Sequence, residues 1–151
     1  MKGVTDMLHS VMESVRQVIP IPAVVQSPNV LEDTVIQRDI EVFVGFTGHA
    51  YGRIVIQGEC KTFSKLGEFM YGMPLEGDIL HSFVGELANM VAGNTSILIS
   101  NKGITIDITP PTVMVEKLHL HGYERGISVP VQFENVGEIN IILLLQNQGD
   151  G

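Results

Sequence analysis

Only one cysteine, Cys60, occurs in the 151 residues. A lone thiol cannot close an internal disulfide, which excludes the disulfide-framed secreted folds and suits a reducing interior. Tryptophan is missing and aromatic residues make up 6% of the chain. Basic residues are also scarce: nine Lys plus Arg stand against 17 Asp plus Glu, for a net charge of −8. With no basic run to neutralise phosphates, neither nucleic acid nor an anionic membrane surface is the expected partner. Long apolar runs are missing too, because "IILLLQ" near the C-terminus stops far short of a bilayer span. The opening "MKGVTDMLHSVMESVRQVIP" breaks its apolar positions with Asp6, His9, Glu13 and Arg16, so it has no signal-peptide core. The expectation is a cytoplasmic protein.

What is present is a globular composition, with 44% hydrophobic and 17% charged residues, enough to bury a real core. No repeat, low-complexity tract or linker interrupts it, so residues 1–151 are expected to form a single domain. Val4, Met7, Leu8, Val11, Met12, Val15, Val18 and Ile19 recur at helical spacing until Pro20 and Pro22 close the helix. Residues 34–57 read as a strand pair: Ile40, Val42, Val44 and Phe46 alternate, "TGHAYG" turns, and Arg53 to Ile56 begins the return. A short helix from about Thr62 carries Phe63, Leu66, Phe69 and Met70 on one side and ends at Gly72. Asp78 is the expected N-cap of a long helix running to about Ser100.

The remainder reads as β structure. "GITIDI" alternates, "TPPT" breaks the chain, and "GISVPVQF" alternates around Pro130, which suggests an edge strand or a bulge. "EINIILLLQ" is apolar on both faces, as in a central strand or one covered by another subunit. Helix, strands, two helices and strands together predict an α+β fold, with helices packed on a largely antiparallel sheet.

The long helix carries the candidate site. On a wheel with Ile79 at zero, Met90, Phe83, Leu87, Leu98, Val91 and Val84 span an arc of about 140°, expected to face the core. Asp78, Asn89, Ser82, Gly93 and Glu86 fall on another arc at roughly 260° to 340°. Gly85, Ala88 and Ala92 flank it and would leave a low surface that another protein's backbone can approach. A mid-helix glycine such as Gly93 costs about 1 kcal/mol relative to alanine, so it needs a reason. Close approach of a partner is one reason and tight helix packing is another. By spacing alone, Glu86 and Asn89 also fit a solvated face with an i, i+3 hydrogen bond between them.

The longer string "GELANMVAGN" resembles the signature of the CheC/CheX/FliY family of response-regulator phosphatases, in which Glu-x-x-Asn is followed by a small-Gly-Asn step. "GFTGHAYGRIVIQ" is similar to the hairpin before that family's first domain helix, and "ITPPTVMVEK" to the strand–Pro–Pro–strand segment of CheX. The resemblance runs from about residue 34 to 145. A single Glu-x-x-Asn helix favours the CheX branch, since CheC proteins usually carry two. The stretch from 45 to 58 departs from the family in being glycine-rich.

That resemblance implies a phosphatase acting on the aspartyl phosphate of a CheY-type response regulator in bacterial chemotaxis or motility. It implies Glu86 and Asn89 as the catalytic residues: the Asn89 amide would orient the attacking water, and Glu86 would pair with a lysine of the regulator. It implies no cofactor of the protein's own, the Mg²⁺ being supplied by the phosphorylated regulator, and a homodimer paired through its sheets. Two rival readings remain open. One is a non-catalytic module that binds receiver domains through the same helix face. The other is a metal hydrolase built on Glu116, His119 and His121 in "VEKLHLHGYE", where the plainer reading is a solvent-facing strand end. His49 and Cys60 have no visible partner and are expected to be structural. Asn94, inside the apolar arc, is expected to hydrogen-bond adjacent backbone. The seven methionines are expected to fill the core.

Overall fold

Alternation and helical periodicity resolve into thirteen elements in the computed structural model. In chain order they are α1 (Lys2–Val18), β1 (Ala23–Val25), β2 (Asn29–Val30), β3 (Val35–Ile36), β4 (Ile40–Gly48), β5 (Gly52–Gly58), α2 (Cys60–Tyr71), α3 (Gly77–Ser100), β6 (Ile106–Ile108), β7 (Thr112–Met114), β8 (Leu118–His119), β9 (Arg125–Phe133) and β10 (Gly137–Leu145). The structure describes residues 2–30, 35–36, 39–114, 118–119 and 125–146. Eight strands form one antiparallel sheet in the order β1-β9-β10-β5-β4-β6, with β2 also beside β9 and β7 also beside β4. Strands β3 and β8 pair separately. The helices cover one face of the large sheet, so the architecture is the α+β arrangement expected. No helix among the described residues is long and apolar enough to cross a membrane.

The alternating residues of β4 do what period two demands: Ile40, Val42, Val44 and Phe46 are all buried. They join Ile54 and Ile56 of β5 and Ile139, Ile141 and Leu143 of β10 in one core with the helices. On the opposite face Val55, Ile142 and Leu144 form a second buried cluster, packed by Phe43 and Met114. The Arg53 guanidinium sits 4.3 Å above the Phe43 ring there. A polar row crosses the same face, Ser128 Oγ donating to Asn140 Oδ1 at 2.7 Å and Asn140 Nδ2 to Gln57 Oε1 at 3.0 Å. The doubly apolar β10 is therefore a central strand, paired with β9 on one side and β5 on the other. Its cover comes from this chain, and it presents no free edge that a second subunit must close.

Both sheet edges are split, each at a proline. Pro130 does not mark an edge strand, because β9 lies inside the sheet. It marks the gap between β1 and β2, where its missing N–H leaves no ladder bond unmade and its carbonyl accepts from Gln26 N at 3.0 Å. On the far edge "TPPT" carries the chain from β6 to β7 along one neighbour, β4. Thr109 bridges the break: its backbone N–H donates to the Gly45 carbonyl at 2.9 Å, and its Oγ1 accepts from Gly45 N at 2.9 Å.

Three local expectations need correction. Helix α2 begins at Cys60 rather than near Thr62, because Asp39 from another part of the chain supplies the cap by accepting from Cys60 N at 3.0 Å. Within α2, Phe63 and Leu66 are buried, but Phe69 is 58% exposed and lies off the core stripe. Asp78 is not an N-cap. Glu76 holds that position without a side-chain cap bond, and Asp78 sits in the first turn, where its charge complements the helix dipole. Gly72 does end α2 in the left-handed conformation, at φ 85°.

The central ladder has one position that accepts no side chain. A Cβ at Gly52 would press on the Leu144 carbonyl oxygen and lie 2.8 Å from the Phe46 ring. Gly52→Ala should therefore destabilise the fold by about 1–3 kcal/mol, read as a lower urea midpoint, and an unchanged midpoint would contradict this register.

Candidate functional site

The rotation of α3 about its own axis determines which side chains it offers to solvent. Leu80, Phe83, Val84, Gly85, Leu87, Ala88, Val91, Ala92, Thr95 and Ile99 are its buried positions. They sweep about 200° of the helix, centred about 70° round from the arc expected from apolar residues alone. The reason is size. Gly85, Ala88 and Ala92 are not a low open surface but the side on which the helix packs closely, and a Cβ at Gly85 would lie 3.4 Å from Val113 and 3.8 Å from Pro111. Ile79, the zero of that wheel at the rim of the expected core arc, is 67% exposed.

Helix α1 holds α3 from the other side. Buried Ser14 donates its hydroxyl to the Val91 carbonyl at 2.7 Å, and Thr95 Oγ1 donates to the same oxygen at 2.7 Å. Asn94 Nδ2 donates to Gln17 Oε1 at 2.6 Å, so this amide is satisfied by a side chain of α1 and not by adjacent backbone. At the start of α3, Tyr71 meets Phe83 edge to face with ring centroids 5.7 Å apart.

What remains outward is a narrow ridge. Ile79, Ser82, Glu86, Asn89 and Ile97 are exposed along it, and Gly93 is half-buried. Glu86 and Asn89 lie side by side about one turn apart. Among the described residues neither side chain has a hydrogen bond, an ion pair or any other partner. The pair does not bond to itself, so the solvated i, i+3 hydrogen bond is not what these residues form. Gly93 is equally uncommitted: a Cβ built there would meet nothing within 4 Å. The packing that would excuse this glycine is absent among the described residues. Neither Lys nor Arg occurs anywhere in α3, and its two acids, Asp78 and Glu86, both face outward.

The other candidates separate from this ridge. His49 joins the β4–β5 turn to the loop after α3, accepting at Nδ1 from Thr105 N at 3.0 Å while its own N–H donates to the Thr105 carbonyl at 3.0 Å. That is a structural role. Burial pushes the Cys60 thiol up from its ordinary value, and neighbouring Asp39 adds to the effect. A thiol held protonated is a poor nucleophile. Glu116 and His121 lie outside the described residues, as does the side chain of His119. Among the described residues no group of three His, Cys, Asp or Glu side chains could hold a metal. A hollow of ≈ 650 Å³ beside the start of α2 mixes Lys61 and Lys65 with Asp39, Glu59 and Glu138, and the first amide of the helix is already taken by Asp39. Of the methionines, Met7 and Met12 are buried in the core, whereas Met73 is 60% exposed.

Sequence reasoning found the polar pair but missed the apolar ends of the ridge. Ile79 and Ile97 stand eighteen positions apart, five whole turns, and so share one azimuth beside Glu86. That spacing was available in the sequence.

Comparison with known proteins gives this ridge a context. The family model described as chemotaxis phosphatase CheX matches residues 40–132, a span that includes all of α3. The CheY-P phosphatase CheX of Thermotoga maritima is 25% identical over 150 residues, covering 97% of each chain. Among solved structures, a chemotaxis protein CheX from Desulfovibrio desulfuricans superposes with a TM-score of 0.80 at 21% identity, over 97% of this chain and 100% of that one. CheX from Borrelia burgdorferi, solved as a CheX–CheY–BeF₃–Mg²⁺ complex, gives a TM-score of 0.75 at 18% identity, over 95% of this chain and 97% of that one. The single Glu-x-x-Asn helix, the split Pro–Pro edge and the match across β4 to β9 agree: this chain belongs to the chemotaxis phosphatase CheX family.

Proposed function

We propose that this protein, working as one domain over residues 1–151, hydrolyses the aspartyl phosphate of a CheY-type response regulator, with Glu86 and Asn89 as its catalytic pair. The observation that carries the reading is the presentation of that pair. An acid and an amide stand exposed on a rigid, well-packed helix, and neither has a partner among the described residues. Polar groups held in place but left unsatisfied by their own chain suit a task completed by another molecule. The relative of known activity is a CheY-P phosphatase, and the complexed relative is bound to CheY with BeF₃ and Mg²⁺.

The chemistry asks little of the added protein. A water oxygen bonds to phosphorus as the bond from phosphorus to the aspartyl oxygen breaks, releasing the carboxylate and inorganic phosphate. The slow part is holding that water in line. The Asn89 carboxamide can accept a hydrogen bond from the water through its oxygen while its NH₂ donates one to a phosphoryl oxygen. Glu86, one turn towards the N-terminus, is placed to pair with a cation beside the phosphoryl group and so fix the register of docking. In this reading the divalent ion belongs to the regulator, as Mg²⁺ accompanies CheY in the relative's complex. Cytoplasmic location and a homodimer belong to the same proposal; both rest on the resemblance to CheX proteins.

The two residues should fail in different ways. Asn89→Ala should lower the maximal dephosphorylation rate about a hundredfold with affinity for the phosphorylated regulator nearly unchanged. Glu86→Ala should weaken that affinity about tenfold, with a smaller loss of rate. Since both side chains point away from the core, melting temperatures should stay within about 3 °C of the parent. If Asn89→Ala turns over like the parent, the amide is not catalytic and Glu86 and Asn89 form a docking surface. A parent that binds the phosphorylated regulator without speeding phosphate loss would favour the non-catalytic receiver-binding module. Replacing His119 and His121 together by Ala should leave activity near normal. Activity lost in that double variant, with zinc bound to the parent protein, would favour the metal hydrolase instead.

A further inference from the structure

Within the functional reading above, the ridge of α3 carries more than its polar pair. Ile79 is 67% exposed and Ile97 63% exposed, among the few large apolar side chains the fold leaves in water. They share an azimuth and stand about 27 Å apart along the helix, with Glu86 about 10 Å and Asn89 about 15 Å from the Ile79 end. A length of 27 Å is close to the diameter of a small domain. Between Asn89 and Ile97 lies Gly93, where an added Cβ would meet nothing within 4 Å among the described residues. Among the described residues nothing packs closer because of a glycine at that point, and the helix bears the propensity penalty.

We infer that the receiver domain of the regulator is gripped along the whole ridge, with apolar contacts at Ile79 and Ile97 on either side of the polar pair and its backbone seated in the notch above Gly93. Three features choose this occupant over a second copy of the chain. The ridge is continuous with the pair that must reach the phosphoryl group. Its only charges are acidic, which suits a partner face carrying a cation and repels an identical ridge. Its apolar residues lie at the ends and its polar ones at the centre, so contact at the ends would shield one oriented water from bulk exchange. Gly93 then sets how closely the two backbones approach, and through that the reach of Asn89.

The test measures affinity for the regulator activated with beryllofluoride and Mg²⁺, using the parent chain and the Gly93→Ala, Gly93→Leu, Ile79→Ser and Ile97→Ser variants. Gly93→Ala should melt at or above the parent temperature, since the added methyl meets open space, yet should bind more weakly. Gly93→Leu and each serine variant should weaken binding about tenfold. Asn89→Ala, measured alongside, should bind like the parent but lose turnover. If all four ridge variants bind like the parent while Asn89→Ala has lost turnover, the extended grip is wrong and the phosphatase reading stands. A parent protein that neither binds the activated regulator nor speeds its dephosphorylation overturns both. Weaker binding by the Gly93 variants alone, with Ile79→Ser and Ile97→Ser unchanged, overturns the apolar grip.

Discussion

The proposed site depends on how α3 is rotated against its neighbours. Two kinds of contact hold that rotation. On one side, where Ala88 and Ala92 are also buried, Gly85 lets the helix settle closely against Val113 and Pro111 at the split edge of the sheet. On the other, Ser14 and Gln17 of α1 tie down the Val91 carbonyl and Asn94. A buried hydroxyl-to-carbonyl bond is worth about 1 kcal/mol net, but leaving Ser14 unpaired would cost more, so the bond acts chiefly as a constraint on register. Turning the helix by one residue would move every side chain about 100° and carry Glu86 and Asn89 away from the surface they share.

The sheet supplies the rigid backing. β4, β5 and β10 are apolar on both faces in their middle sections, and each face has its own buried cluster. A helix resting on such a base has little freedom to yield when another protein presses on its outer side, which catalysis by positioning requires. The prolines serve the same end. Pro130 and the Pro110–Pro111 pair sit where edge strands are broken, so the sheet ends without offering long ladders to other chains.

Much of this was legible in the sequence, and the failures have a common physical cause. Periodicity located α1, β4, β5, α3 and β10, and one string on α3 pointed to the family. The inward arc of α3 was misplaced because hydrophobicity was weighed without size: Gly85 and Ala88 contribute little on a transfer scale, yet they decide where a helix can approach a sheet most closely. Gly85 was read as surface, and the structure buries it. The start of α2 was missed because its cap comes from Asp39, twenty-one positions before Cys60, which no local pattern encodes. The unpartnered state of Glu86 and Asn89 was also beyond sequence, since spacing alone allows an i, i+3 bond between them.

The central claim is that the outward ridge of α3 brings the Asn89 carboxamide to the phosphoryl group of a receiver domain. A crystal structure of this chain with a CheY-type regulator activated by beryllofluoride and Mg²⁺ tests it most directly. The account predicts that α3 lies against the regulator, with the Asn89 amide within about 3 Å of the in-line water or a fluoride and Glu86 paired with a regulator cation. A complex in which the regulator sits elsewhere, and Asn89 remains in solvent, would contradict it.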